Sequence, residues 1–340
     1  MNRTFNGGIK WASALALVAV LAGCGQSQQG QSSAGGGEAA SGKRQFLSIG
    51  TAPVGGVFYT IGGAVSDVLN QFKGENNWSF AAESTGGSME NIRRLDSGEI
   101  QFAVSNSSIT YFAVRGEEGW EKKYEVRSVM TLFPNVAMFV TKQGGGITRI
   151  SDLKGKRVSV GPEGAGFEYF IRPILKAHGL TYADFEPVYA GQQTSVDYMG
   201  DGSIAAAFLG GGVPTGSITS ASSTMDILLV PYDETVKEKL IADYAFFNGA
   251  TIPAGTYKGQ DAAYEGLDVG SAHLIASAAT DDELVYQFVK TLYENRATVA
   301  EKHKAGKAVN PKNVVRNTGT EFHPGAIRFY KEAGIWPQGR

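Results

Sequence analysis

Apolar residues recur at Ile61, Ala64, Val65, Val68, Leu69 and Phe72, the spacing that buries one face of an α-helix. The segment before them, IGTAPVGG at 49–56, reads as a strand end running into a glycine-rich loop. A second stripe, Phe167, Phe170, Ile171, Ile174, Leu175 and His178, follows RVSVGPEGAG at 157–166 with the same relative offsets, so a strand, loop and helix unit occurs twice. Pro173 stands inside this second stripe, where a proline bends or breaks a helix. Further along each copy, SGEIQFAVSNSS at 97–108 aligns without gaps with DGSIAAAFLGGG at 201–212. Each is a tight turn entering a strand that stops in small or polar residues. Strands alternating with helices predict parallel sheets. Two α/β lobes of this kind, facing each other, place their small-residue loops beyond the carboxyl ends of the strands, where open sheets bind ligands.

The remaining apolar segments read as connections. VAMFVTK at 136–142 and AHLIAS at 272–277 flank the second unit and are candidates for crossings between the lobes. A chain that leaves one lobe, builds another and returns makes a hinge suited to closure around a ligand. The expected division is lobe one from 46–138 and 271–340, with lobe two from 139–270. Another helical stripe, Leu284, Val285, Phe288, Val289 and Leu292, opens the C-terminal third.

Charge is nearly balanced, with 31 Lys and Arg against 33 Asp and Glu, and no basic run interleaved with aromatics occurs, which argues against nucleic acid as a partner. The N-terminus carries Arg3 and Lys10, an apolar stretch at 11–20 and then Leu21, Ala22, Gly23 and Cys24. This is the layout of a secretory signal and is too short to span a bilayer. Residues 21–24 resemble the lipobox of bacterial lipoprotein precursors, which implies a signal at 1–23 and lipidation of Cys24. Cys24 is the one cysteine of the chain, so no internal disulfide or cysteine metal cluster is available. The Gly/Ser/Gln-rich run that follows makes 24–45 a flexible tether. The expectation is a monomeric extracytoplasmic body held at the cell envelope by its lipid.

Gly50, Gly55 and Gly56 let the backbone turn tightly before the first helix, leaving N–H groups at its positive end free to face a carboxylate or phosphate. The same loop also reads as a plain connection. GxSxG, HExxH and GxxxxGK[ST] are absent, and His178, His273, His303 and His323 lack metal-like spacing. No enzyme, cofactor or metal is therefore expected, although scattered carboxylates leave an acid/base pair open.

Five segments, GTAPVGGVFYTIGG at 50–63, STGGSMEN at 84–91, SDLKGKRVSVGPEGAG at 151–166, GGGVPT at 210–215 and HPGAIRFYKEAGI at 323–335, together resemble the TAXI family, the extracytoplasmic solute receptors of TRAP transporters. The likeness runs from about Phe46 to Trp336. It implies a two-lobe periplasmic-binding-protein fold, type II-like, that hands a small solute, a carboxylate or amino acid such as glutamate, to the membrane subunit of an ion-coupled TRAP permease. A lipid-anchored sensor with the same fold is the alternative. The family's binding loops fall on Gly50 to Thr60, Ser84 to Asn91, Ser105 to Ser108, Gly161 to Phe167 and Gly210 to Pro214, with Thr51, Gly55, Gly56, Tyr59, Thr85, Gly87, Ser88, Ser105, Asn106, Ser107, Glu163, Gly166, Phe167, Gly211 and Gly212 as the candidate ligand residues. Their hydroxyl, amide and backbone N–H groups suit a polar ligand. Ser88 also reads as a helix N-cap, and Tyr59 as a core residue. Two departures stand out. Ala165 and Phe167 replace a serine and a threonine of the family pattern, and Glu163 and Glu168 place carboxylates in or beside the loop, where they either point outward as solvated charge or repel an anionic ligand, which then carries an amine or is not a plain dicarboxylate.

Overall fold

The computed structural model describes residues 44–54 and 56–338. The expected signal peptide, the expected lipidation site Cys24, all but the last two residues of the expected tether and loop residue Gly55 lie outside these residues. The first part of the chain runs β1 (Gln45–Gly50), α1 (Val57–Gln71), β2 (Trp78–Glu83), α2 (Ser88–Asp96), β3 (Phe102–Asn106), α3 (Ser107–Ala113) and β4 (Val126–Thr131). It continues with β5 (Val136–Lys142), β6 (Arg157–Ser159), α4 (Glu168–Ala177), β7 (Glu186–Val188), α5 (Gln192–Asp201), β8 (Ala206–Gly211), α6 (Gly216–Thr224), β9 (Ile227–Leu229), α7 (Glu234–Asp243), β10 (Asn248–Ile252) and β11 (Tyr264–Asp268). The return strand β12 (Ala272–Ser277) leads into α8 (Asp282–Glu294), α9 (Arg296–Lys302) and α10 (Pro324–Glu332).

Two mixed sheets result. The first has the order β2-β1-β3-β12-β4, and the second β10-β11-β5-β8-β6-β7 with β9 also paired to β5. β1 is parallel to β2 and β3, as β6 is to β7 and β8. The repeat legible in the sequence is therefore a repeat of structure, with β3 and β8 at equivalent places. β12 lies antiparallel beside β3, and β5 antiparallel beside β8. Each sheet is thus completed by a strand from the other end of the excursion. These two strands do not themselves cross between sheets, contrary to expectation. Each stays in one sheet through its ladder bonds, and the chain passes over at 132–135 and 269–271. Positions 138 and 139, between which the sequence reading divided the lobes, fall inside β5.

The helical stripes pack as their spacing requires, with Ile61, Ala64, Val65, Val68 and Leu69 all buried. Phe72 does not join them, because α1 ends at Gln71 and Phe72, its C-cap, turns 37% exposed. α4 runs through Pro173, which is buried within it rather than ending it. One apolar core joins elements of both sheets: Ile92, Ala103, Ile109, Phe112 and Ile275 belong to the same cluster as Phe139, Phe170 and Phe208. At that junction the rings of Phe112 and Tyr169 lie 5.8 Å apart. Gly166 has a φ of +83°, and a β-carbon there would come within 2.7 Å of Ile109 Cδ1, so only glycine lets α3 approach this loop.

Candidate functional site

The carboxyl ends of all six parallel strands open on one cleft of about 940 Å³. Ala52 to Val54 follow β1, Gly86 to Ser88 follow β2, and Asn106 ends β3. From the second sheet come Pro162 to Ala165 after β6, Gly191 to Thr194 after β7, and Gly210 to Gly212 at the end of β8. Phe133 and Asn135 of the first link between the sheets close one side. This is the switch-point position at which open α/β sheets bind ligands, here supplied twice.

Helix ends set the electrostatics. α1, α2 and α5 all begin in the cleft wall, their N-cap residues are Gly56, Gly87 and Gly191, and none of the three has a side-chain cap. Glycine covers none of the first-turn N–H groups, which have no partner within their own helix. α1 and α5, one from each sheet, carry no acid in the first turn. At α2 the Glu90 carboxylate folds back to accept from Gly86 N–H at 2.8 Å. Among the described residues no Lys, Arg or His lines the cleft, and Glu163 is its one charged side chain.

Most polar side chains at the wall are occupied in holding it. Asn106 donates to Gly270 O at 2.8 Å and accepts from Ser108 N–H and Oγ, tying the end of β3 to the second link. Gln192 donates to Gly210 O at 2.9 Å and accepts from Gly210 N–H at 3.1 Å, so the start of α5 is clasped to the end of β8. Ser88 Oγ accepts from Asn106 N–H at 2.9 Å, leaving its own proton to donate. Behind Asn135, the buried Asp268 carboxylate accepts from Asn135 N–H at 3.0 Å and Gly270 N–H at 3.3 Å and pairs with Arg316 at 2.9 Å. Burial pushes the Asp268 carboxyl up, and the neighbouring Arg316 opposes that. One carboxylate thus binds both links between the sheets.

Of the residues anticipated from sequence, Gly56, Gly87, Ser88, Asn106, Glu163, Phe167, Gly211 and Gly212 line the cleft. Six others do not. Thr51 is fully buried with its hydroxyl on Glu83 O at 2.6 Å, and Thr85 is turned to Thr51 O at 3.0 Å. Ser105 shares a hydrogen bond with Thr110, Ser107 is buried behind the wall, Gly166 packs on Ile109, and Tyr59 lies half-buried on α1 away from the lining. The Thr51 and Thr85 hydroxyls are taken up by backbone carbonyls of neighbouring segments, Ser105 by the Thr110 side chain, and Ser107 Oγ is buried without a hydrogen-bond partner among the described residues, none of which a sequence pattern reveals. Phe58 lies in the anticipated first loop but was not singled out, and Phe133, Asn135, Phe170 and the Gln192 to Thr194 turn were not anticipated. A signal for the last existed: the gap-free register that pairs Ser97 with Asp201 also pairs Gly87 with Gly191.

The NMT1-like family model matches residues 49–334 of the chain. Among solved structures, a Xanthomonas citri protein bound to chloride ion aligns at a TM-score of 0.50 with 11% identity, over 85% of this chain and 97% of that one. The periplasmic aliphatic sulphonate binding protein SsuA of Escherichia coli aligns at 0.45 with 14% identity, over 86% and 84%. A putative sulfonate ABC transporter periplasmic protein from Methylobacillus flagellatus aligns at 0.48 with 13% identity, over 86% and 89%.

Proposed function

The chain belongs to the NMT1-like family, and from that premise and the cleft we propose that it is an extracytoplasmic solute-binding receptor, not an enzyme. The observation that carries this is the convergence of six strand ends and three uncapped helix N-termini on one cavity without a catalytic constellation among the described residues. Such a site offers backbone N–H groups and shape, which serve binding. The ligand in this reading is a small solute bearing a carboxylate, with lobes built on the two sheets closing over it about the links at 132–135 and 269–271. The five segments that resemble the TAXI family support delivery to a TRAP-type permease. Residues 21–24 support anchoring through lipidated Cys24, and no described helix is long and apolar enough to cross a membrane.

A thermal-shift screen of a broad set of organic acids, amino acids and other metabolites tests the reading, since a ligand that binds only the folded form raises the melting temperature. At least one class should do so, by the equivalent of about 2.7 kcal/mol at one hundred times its dissociation constant. A blank screen, or turnover of a compound by the purified protein, overturns it.

A further inference from the structure

The cleft wall has two chemistries, and neither is that of a dicarboxylate site. Phe58 and Phe133 meet edge to face at 6.0 Å, and Phe167 and Phe170 lie 5.2 Å apart, and all four line the cleft. The first pair packs with the core of the first sheet and the second with that of the second sheet, so an apolar surface meets the ligand from both sides. Phe167 stands where the sequence departs from the family pattern that it otherwise resembles. Gly161 makes room for it, since a β-carbon there would sit 2.5 Å from the Phe167 ring. The volume of about 940 Å³ is also at the upper end of the roughly 300–1,000 Å³ usual for ligand pockets, far more than a four- or five-carbon diacid occupies.

Against this apolar body the site supplies one kind of anion recognition, the first-turn N–H groups after Gly56 and Gly191. A second carboxylate finds no cation in the described wall and meets Glu163, an exposed carboxylate on the loop after β6. Asn135 offers a side-chain amide that no described group engages, and Thr194 a hydroxyl, both suited to orienting a neutral polar substituent.

We propose that the cleft selects an organic acid with a single carboxylate and a bulky planar apolar body, an arylalkyl monocarboxylate, and that Glu163 discriminates against dicarboxylates. This rests on the receptor reading above. The carboxylate lies at the glycine-capped helix ends, the ring between the two phenylalanine pairs, and the far end of the ligand is neutral.

Isothermal titration of the mature protein with phenylacetate and 3-phenylpropionate, against succinate and L-glutamate, decides the matter. The aryl acids are expected to bind at least about tenfold more tightly, the equivalent of roughly 1.4 kcal/mol. In Glu163→Gln the ratio of aryl to dicarboxylate affinity should shrink by about fivefold, the size of a screened charge contact near a surface. The side chain is exposed, so this variant keeps its fold, which circular dichroism checks. Succinate or glutamate binding as tightly as the aryl acids overturns the ligand class and leaves the receptor reading standing. An unchanged ratio in Glu163→Gln overturns the role of Glu163. If neither set binds while the broad screen finds another class, the inference falls alone; if that screen is blank as well, both fall.

Discussion

His273 shows how far a single side chain's surroundings can shift its chemistry. It is fully buried on β12, shares a 2.8 Å hydrogen bond with Thr110, and burial holds its pKa down to about 3. In the unfolded chain the imidazole titrates near 6.5. As pH falls the unfolded state therefore takes up this proton first, so the stability tied to neutral His273 is complete above about pH 6.5 and is lost progressively towards pH 3. The wild type should lose stability faster than His273→Gln across that window, by up to about 1.4 kcal/mol per pH unit, in urea unfolding at pH 7, 5 and 4. Parallel losses in the two proteins would contradict this. In the sequence His273 shows only that it lacks metal-like spacing to the other histidines. Its neighbours Thr110 and Thr318 come from distant segments and could not be read beside it.

At the level of elements, the glycine N-caps turn helix ends into binding groups. Ser, Thr, Asp and Asn are the better caps because their side chains occupy the first-turn N–H groups, which is what a ligand site has to avoid. Gly191 provides a clean test: its φ of −61° and ψ of 155° suit any residue, and a β-carbon there meets nothing within 4 Å. Gly191→Asp should hold stability or raise it by a few tenths of a kcal/mol through capping while weakening binding of an anionic ligand at least about tenfold. Thermal melts and titration calorimetry read the two effects separately. A variant that binds as tightly as wild type would remove α5 from the anion site. The mirror position Gly87 is less suitable, because its φ of 105° favours glycine for the backbone alone.

Across the described residues, one apolar cluster joins the two sheets through Ile109, Phe112 and Tyr169, a second cluster fills the rest of the first sheet's unit, and Asp268 fastens both links between the sheets. The body from 44 to 338 should therefore melt in one transition, with near- and far-ultraviolet circular dichroism coinciding. Two separated transitions would mean that the shared core contributes little. The organisation behind this was legible in good part before the structure. Period-3.6 stripes, paired glycine loops and a gap-free internal register determined the repeated α/β unit and the four loops at strand ends, because these are local consequences of spacing and backbone freedom. Which strand completes which sheet, and where the chain crosses, depended on ladder bonds between β3 and β12 and between β5 and β8, segments far apart in the chain. The division of the strand-end residues was likewise tertiary. Thr51 and Thr85 carry the right chemistry but turn inward to backbone carbonyls, whereas Phe170, which reads as part of a buried helical stripe, reaches the cleft wall. A sequence states which groups a loop possesses; only the packing of the neighbouring strands decides which of them are already occupied and which are left for a ligand.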